Sequence, residues 1–232
     1  YPEHRKEENL KKGVFEVDYP GCAQPLQLMP TDEESKIHPS SVYGITKQTQ
    51  EQLVITVTKA LGIAGVAFRY QNVYGPGQSL TNPYTGILSI FSNRILQNKS
   101  INVFEDGKES RDFLYIGDAV DATVLGIERY EANNQIFNVG SGSSTNVMTV
   151  VEGLMKNYGI EVPVNISGNY RVGDIRHNYA DLSKVSDKLG FKPKISFEEG
   201  LANFARWAKN QTFTTDRYED SLQEMKDKGL FK

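Results

Sequence analysis

The sequence has 232 residues, 38% of them hydrophobic and 24% charged, with a formal net charge of −3. A chain of this length can bury about 70% of its unfolded surface in a core of its own, and the slightly acidic balance leaves no basic surplus for nucleic acid as a partner. No apolar run approaches the ~20 residues that span a bilayer, and the lone cysteine, Cys22, excludes an internal disulfide and makes a reducing cytoplasm the expected compartment.

Residues 1–38 carry Pro2, Pro20, Pro25 and Pro30 and a charged run over Arg5–Glu8, so an irregular insert is expected there. Pro39-Ser40-Ser41 has the form of a helix start, and the stretch from Ser41 to Ala60 is expected to be helical and to stop at Leu61-Gly62. Ile63–Arg69 is short, apolar and partly β-branched, which predicts a buried strand. Gln71–Pro83 reads as a long loop, of a length that usually carries function. A helix over Tyr84–Gln97 comes next. A hairpin is then expected, with strands Ile101–Phe104 and Ser110–Tyr115 turning at Asp106-Gly107. Asp118–Tyr130 reads as a helix, Gln135–Val139 as a strand, Val147–Tyr158 as a helix and Val162–Ile166 as a strand. Helices over Leu182–Leu189, Phe197–Lys209 and Thr215–Lys228 close the chain, and the alternation of types makes the fold class α/β.

Four stretches could carry chemistry. Tyr43 and Lys47 form a Tyr-x-x-x-Lys, and a spacing of four puts both on one helix face. A phenol is too weak an acid to serve as a base at neutral pH, and a nearby ammonium favours the phenolate. The pair could therefore take a proton from a sugar hydroxyl, although the same pattern also suits an amphipathic surface helix. The segment Arg69-Tyr70-Gln71-Asn72-Val73-Tyr74-Gly75 follows a predicted strand, where open α/β sheets place ligands. Arg111, shortly after Glu105-Asp106-Gly107, has a guanidinium suited to a diphosphate, or else to a surface ion pair. Arg171, Asp174 and Arg176 lie in one stretch with His177, where the arginines add cations and Asp174 could bind ribose hydroxyls; a solvated loop, with His177 as a hydrogen-bonded structural residue, is the plainer alternative. Cys22, His4, His38 and His177 have no metal-ligand spacing, so no metal is expected. Gly140-Ser141-Gly142-Ser143-Ser144 is a turn after a strand and does not match G-x-G-x-x-G.

The order of these motifs carries more than any one of them. A Tyr-x-x-x-Lys helix, then Arg-Tyr-Gln-Asn-Val-Tyr-Gly-Pro, Phe-Glu-Asp-Gly with Arg-Asp-Phe-Leu-Tyr-Ile-Gly-Asp, Phe-Asn-Val-Gly, Arg-Val-Gly-Asp and Lys-Leu-Gly-Phe resembles the C-terminal two-thirds of an extended short-chain dehydrogenase/reductase, from about Pro39 to Trp207. Within that family Gly77–Gly86, Tyr170–His177, the Tyr1–Arg5 start and Leu28–Thr31 most resemble the dTDP-L-rhamnose 4-epimerases. The resemblance implies the C-terminal part of a Rossmann-like parallel sheet with a small α/β substrate-binding lobe. Residues 1–38 would be the insert, 39–150 the remaining Rossmann-like domain interleaved with the lobe, and 151–232 the rest of the lobe and its helices.

By the same resemblance Tyr43 is the general base, and Lys47 bonds the nicotinamide ribose and tunes Tyr43. Tyr70 and Val73 line the nicotinamide side, and Asn72 faces the phosphate of the sugar nucleotide. Arg111, Arg171 and Asp174 hold the diphosphate, with Val103 and Phe104 near the nucleobase. The implied cofactor is a recycled NAD, the partners are a nucleotide-sugar and a second copy in a homodimer, and the implied reaction is epimerisation at C4 through a 4-keto sugar. The sequence departs from the family pattern in having no glycine-rich pyrophosphate turn, so the cofactor-binding segment is expected to lie outside these residues and the chain alone to be inactive. Tyr19 and Cys22 stand where the subgroup often has a Cys-x-x-Cys. A 4,6-dehydratase or reductase of the same family stays open, as does a non-catalytic nucleotide-sugar binder.

Overall fold

The computed structural model describes residues 5–17, 26–80, 86–211 and 218–232. Within the expected insert a single helical turn forms, α1 (Glu7–Leu10), and its Leu10 joins Phe15 and Tyr170 in a small apolar cluster. The long helix α2 spans Val42–Leu61. Ser41 caps it by accepting a hydrogen bond from the Gly44 N–H, and Gly62 ends it at φ 68°, a backbone that only glycine adopts cheaply. There follow β1 (Val66–Tyr70), β2 (Asn72–Tyr74), α3 (Ile87–Leu96), β3 (Ile101–Val103), β4 (Ser110–Arg111), β5 (Phe113–Tyr115) and α4 (Ile116–Glu128). After a 3-10 turn over Tyr130–Ala132 come β6 (Gln135–Val139), β7 (Thr145–Asn146), α5 (Val147–Tyr158), β8 (Val164–Ile166), α6 (Ser183–Leu189), α7 (Phe197–Lys209) and α8 (Tyr218–Asp227). Among the described residues no helix is long and apolar enough to cross a membrane.

Among the described residues three of the four strand pairs are parallel. β1 lies beside β6 with Tyr70 opposite Val139, β2 beside β5, and β3 beside β8, while β4 and β7 run antiparallel. Parallel strands need long crossovers, and here helices supply them, which is the Rossmann-like α/β arrangement. Two cores result. The larger gathers Ile95, Ile101, Val103, Leu154 and Phe204 from α3, β3, α5 and α7. The other gathers Leu114, Ala122, Phe137, Val139, Val185 and Leu189 around β5, β6, α4 and α6.

The expected hairpin does not form. Its turn does: the Lys108 N–H donates to the Asp106 carboxylate at 3.1 Å, and Gly107 takes φ 75°. The flanking strands pair elsewhere, β3 with β8 and β5 with β2. A turn signal acts over a few residues, whereas Ile101, Val103 and Leu114 go where their side chains lose all contact with water, in two different cores. The strand at 63–69 begins later than expected, and none of its residues is fully buried. The Gln71–Pro83 loop holds the short strand β2.

α2 explains why β1 remains half-exposed. Its best-covered stripe, Gly44, Gln48, Glu51, Ile55 and Thr58, is largely polar, and Glu51 takes two hydrogen bonds from Arg69 of β1, at 2.7 and 2.8 Å. Leu53, Val57 and Leu61 on the other side of α2 are exposed. Tyr84 and Thr85 at the expected start of α3, Thr215–Arg217 before α8, and Tyr19 and Cys22 lie outside the described residues.

Candidate functional site

A cavity of about 560 Å³ opens beyond the C-terminal end of β1, lined in part by Tyr43, Tyr70, Gln71, Asn72, Val73 and Asn178. Tyr43 reaches it from the first turn of α2, which is held in place by its Ser41 cap and by Ser40, whose hydroxyl donates to the Gly173 carbonyl at 2.7 Å. Lys47 lies one turn on, its ammonium 5.5 Å from the centre of the Tyr43 ring and 3.2 Å from Gln50 Oε1. The spacing of four does put both on one face. Tyr43 is 72% exposed, so its hydroxyl is open to a ligand.

The chain from Gln71 to Tyr74 is held by backbone bonds. The Gln71 N–H donates to Val139 O and the Asn72 N–H to Asp112 O, both at 2.9 Å. Gln71 Oε1 accepts from Asn178 at 2.5 Å, joining the cavity to the loop after β8. Tyr70 shares a 2.6 Å hydrogen bond with Thr123 of α4, which fixes its ring. Tyr74 is different in kind. Burial pushes its phenol well above the usual range and its hydroxyl donates to Phe197 O at 3.3 Å, which leaves Tyr74 a neutral structural group.

The remaining predicted residues gather around the loop 170–177. Arg111 donates to Ser110 O and Arg176 O through Nη1, at 2.9 and 3.0 Å, and to the Asp174 carboxylate and Ile175 O through Nη2, at 2.9 and 2.8 Å. Its fork thus grips the loop. Arg171 lies over the Phe104 ring at 5.1 Å, with its Nε buried and unpartnered, and the Phe104 ring packs at a tilt against Phe231, 4.8 Å between centroids. Val103 stands apart from this group, because its side chain is buried in the larger core. His177 bonds Ser110 Oγ at 2.8 Å and Glu16 Oε2 at 3.2 Å. Among the described residues no group of three or more His, Cys, Asp or Glu side chains is placed to hold a metal ion.

Residues 19–140 match the model of the NAD dependent epimerase/dehydratase family. The chain belongs to that family. It is 36% identical over 208 residues to the dTDP-L-rhamnose 4-epimerase of Burkholderia thailandensis, covering 89% of this chain and 55% of that one. It is 33% identical to a putative UDP-glucose 4-epimerase of Methanocaldococcus jannaschii, covering 80% of this chain and 59% of that one. Among solved structures, the UDP-glucose 4-epimerase of Thermotoga maritima with UDP-glucose superposes with a TM-score of 0.71 at 32% identity, over 88% of this chain and 66% of that one. A Thermus thermophilus UDP-glucose 4-epimerase in complex with NAD superposes with a TM-score of 0.72 at 25% identity, over 79% of this chain and 59% of that one. The chain thus spans little more than half the length of the curated relatives it matches.

Two residues of this family member that sequence reasoning passed over organise the site. Asp112 is fully buried beside Arg111, and its carboxylate accepts from the Ser141 N–H and Oγ at 2.6 and 2.7 Å and from the Gly142 and Ala180 N–H groups at 3.1 Å. It ties β5 to the turn after β6 and to the chain after the 170–177 loop. Asp118 does the same for α4, accepting from the Lys194 and Ile195 N–H groups at 3.0 and 3.1 Å. The available signal was an acid inside a run of buried positions, which must find partners.

Proposed function

We propose that this chain supplies the proton-transfer and substrate-holding residues of an NAD-dependent nucleotide-sugar 4-epimerase acting on a dTDP-6-deoxyhexose such as dTDP-L-rhamnose. The observation that carries this reading is the meeting of Tyr43, backed by Lys47, with Tyr70, Asn72 and Val73 at one cavity beyond a parallel strand. The 36% identity to a dTDP-L-rhamnose 4-epimerase and the resemblance of the Tyr170–His177 stretch support this choice of substrate.

The residues present fit one end of NAD. Tyr43, Lys47, Tyr70 and Val73 would hold the nicotinamide and its ribose, while no G-x-G-x-x-G turn in these 232 residues would seat the pyrophosphate. When bound, NAD supplies the acceptor and donor of the hydride at C4 of the sugar. The Tyr43 side-chain oxygen takes the proton of the C4 hydroxyl and later returns it, with Lys47 one turn along the same helix face. Asn72 faces the phosphate of the sugar nucleotide. Arg171 and Arg111 lie toward the diphosphate end, Asp174 accepts from the ribose hydroxyls, and Phe104 lies toward the base. Dimerisation through the exposed apolar side of α2 belongs to the same reading.

The test is to follow dTDP-L-rhamnose by proton NMR with the full-length protein and NAD+. Its C4 epimer should appear, and Tyr43→Phe should lower turnover by about 100-fold or more while nucleotide-sugar affinity stays unchanged. UDP-glucose turned over in its place would reassign the substrate. Binding without turnover of any nucleotide-sugar would favour the non-catalytic reading.

A further inference from the structure

Both ends of the described chain close on the loop that carries Arg171 and Asp174. From one side comes the segment 5–17. Arg5 donates to the Asp174 carbonyl and to Glu105 Oε1, each at 2.7 Å, and Leu10 and Phe15 cover buried Tyr170. From the other side comes the C-terminus. The Tyr170 N–H donates to Lys232 O at 2.8 Å, the Lys232 N–H to Tyr170 O and the Val172 N–H to Leu230 O, both at 3.1 Å. A 2.7 Å ion pair between Lys232 and Glu7 joins the two segments.

Arg176 lies at the centre of this closure. Its side chain is fully buried, and its guanidinium reaches Glu16 at 2.6 Å, Glu105 at 2.9 Å and Asp106 at 2.7 Å. Its carbonyl accepts from Arg111 Nη1 at 3.0 Å and from the Ser110 N–H at 3.1 Å. One guanidinium therefore holds segment 5–17, the Glu105-Asp106 turn and the loop together, and Arg111 hangs on the backbone of the same residue. A buried guanidinium stripped of these partners would be an uncompensated charge, so the arrangement is all or nothing. Lysine, with a compact ammonium and no planar fork, would not reproduce this geometry toward the three carboxylates.

We propose that Arg176 is a positioning residue for the nucleotide-sugar. With Glu16 it clamps segment 5–17 across the loop, so that Arg111, Arg171 and Asp174 are already in place when the diphosphate arrives. This rests on the reading of those three residues as the groups that hold the diphosphate and ribose of the nucleotide. A loop ordered in advance spares the ligand the entropy of ordering it, so the clamp acts on affinity and KM and leaves kcat alone.

Glu16→Gln is the first variant, because its side chain is 58% exposed and the change keeps its size; Arg176→Lys is the second. In the full-length protein, amide hydrogen exchange would be read in segments 5–17 and 170–177 alongside calorimetric titration with dTDP. Both variants should exchange faster in those two segments and not in α5 or α7, and bind dTDP about 5- to 30-fold more weakly, with KM raised in step and kcat kept. Faster exchange with unchanged dTDP affinity would overturn the positioning role and leave the proposed function standing. Unchanged exchange in both variants would overturn the clamp itself. Wild-type protein that binds neither dTDP nor any nucleotide-sugar would overturn the functional reading and this one with it.

Discussion

Glu109 sits at the edge of the Arg176 cluster with its Oε2 buried, unpartnered by any hydrogen bond and 3.7 Å from the guanidinium. Burial, and after it the neighbouring Glu105 carboxylate, push its carboxyl up to about 7 from an ordinary 4.5, against the opposing pull of its own backbone N–H, Arg176 and Arg111. A carboxyl raised on folding binds its proton more tightly in the folded state. The stability this contributes is complete below pH 4.5 and is lost as the pH rises through 7. The gap, at about 1.4 kcal/mol per pH unit, corresponds to about 3 kcal/mol, reduced to about 2 by residual contact with water. Urea unfolding of the wild type at pH 5, 6, 7 and 8 should therefore show stability falling by about 2 kcal/mol toward pH 8. Glu109→Gln, which stays neutral throughout, should flatten that fall and be the more stable protein at pH 8. A variant that keeps the wild-type slope would refute the reasoning. On the acid side burial opposes Glu16 and Asp106, but hydrogen bonds from Arg176 outweigh it and hold both carboxyls below the usual range. Their contribution is present above the unfolded value and is lost as the pH falls, so both proteins should weaken alike below about pH 4.

Asp112→Ala would leave one buried and two partly buried N–H groups without an acceptor, and chemical denaturation should show a loss of about 3 kcal/mol. Gly126→Ala would place a Cβ 2.4 Å from the Phe68 ring, so the ring must move, and a thermal melt should register a cost of about 1–3 kcal/mol. Phe204→Ala, in the middle of the larger core, should cost about 3–5 kcal/mol in the same assay. Leu53→Lys on the exposed side of α2 should change stability by less than about 0.5 kcal/mol, yet shift any self-association seen in sedimentation toward the monomer.

The sequence by itself settled whatever depends on neighbours along the chain. Ser41 and Gly62 mark the limits of α2, and Phe197–Lys209 and Val147–Tyr158 match α7 and α5 residue for residue, because caps and helical periodicity act within a turn or two. The four-residue spacing likewise put Tyr43 and Lys47 on one face, and the order of motifs identified the family. Tertiary structure alone decided which strands pair. Ile101–Val103 and Phe113–Tyr115 flank a genuine turn, yet each found a parallel partner elsewhere, since the choice follows burial summed over distant parts of the chain. The same holds for the residues that shape the site. Arg176 looked like one more loop cation, but its acceptors include Glu16, 160 residues away, and Asp112 gave no local sign of its role, yet its carboxylate accepts from N–H groups 29 and 68 residues away from it. A buried charge is recognisable only from what surrounds it, and no local pattern records which distant carboxylate or N–H the fold will bring alongside.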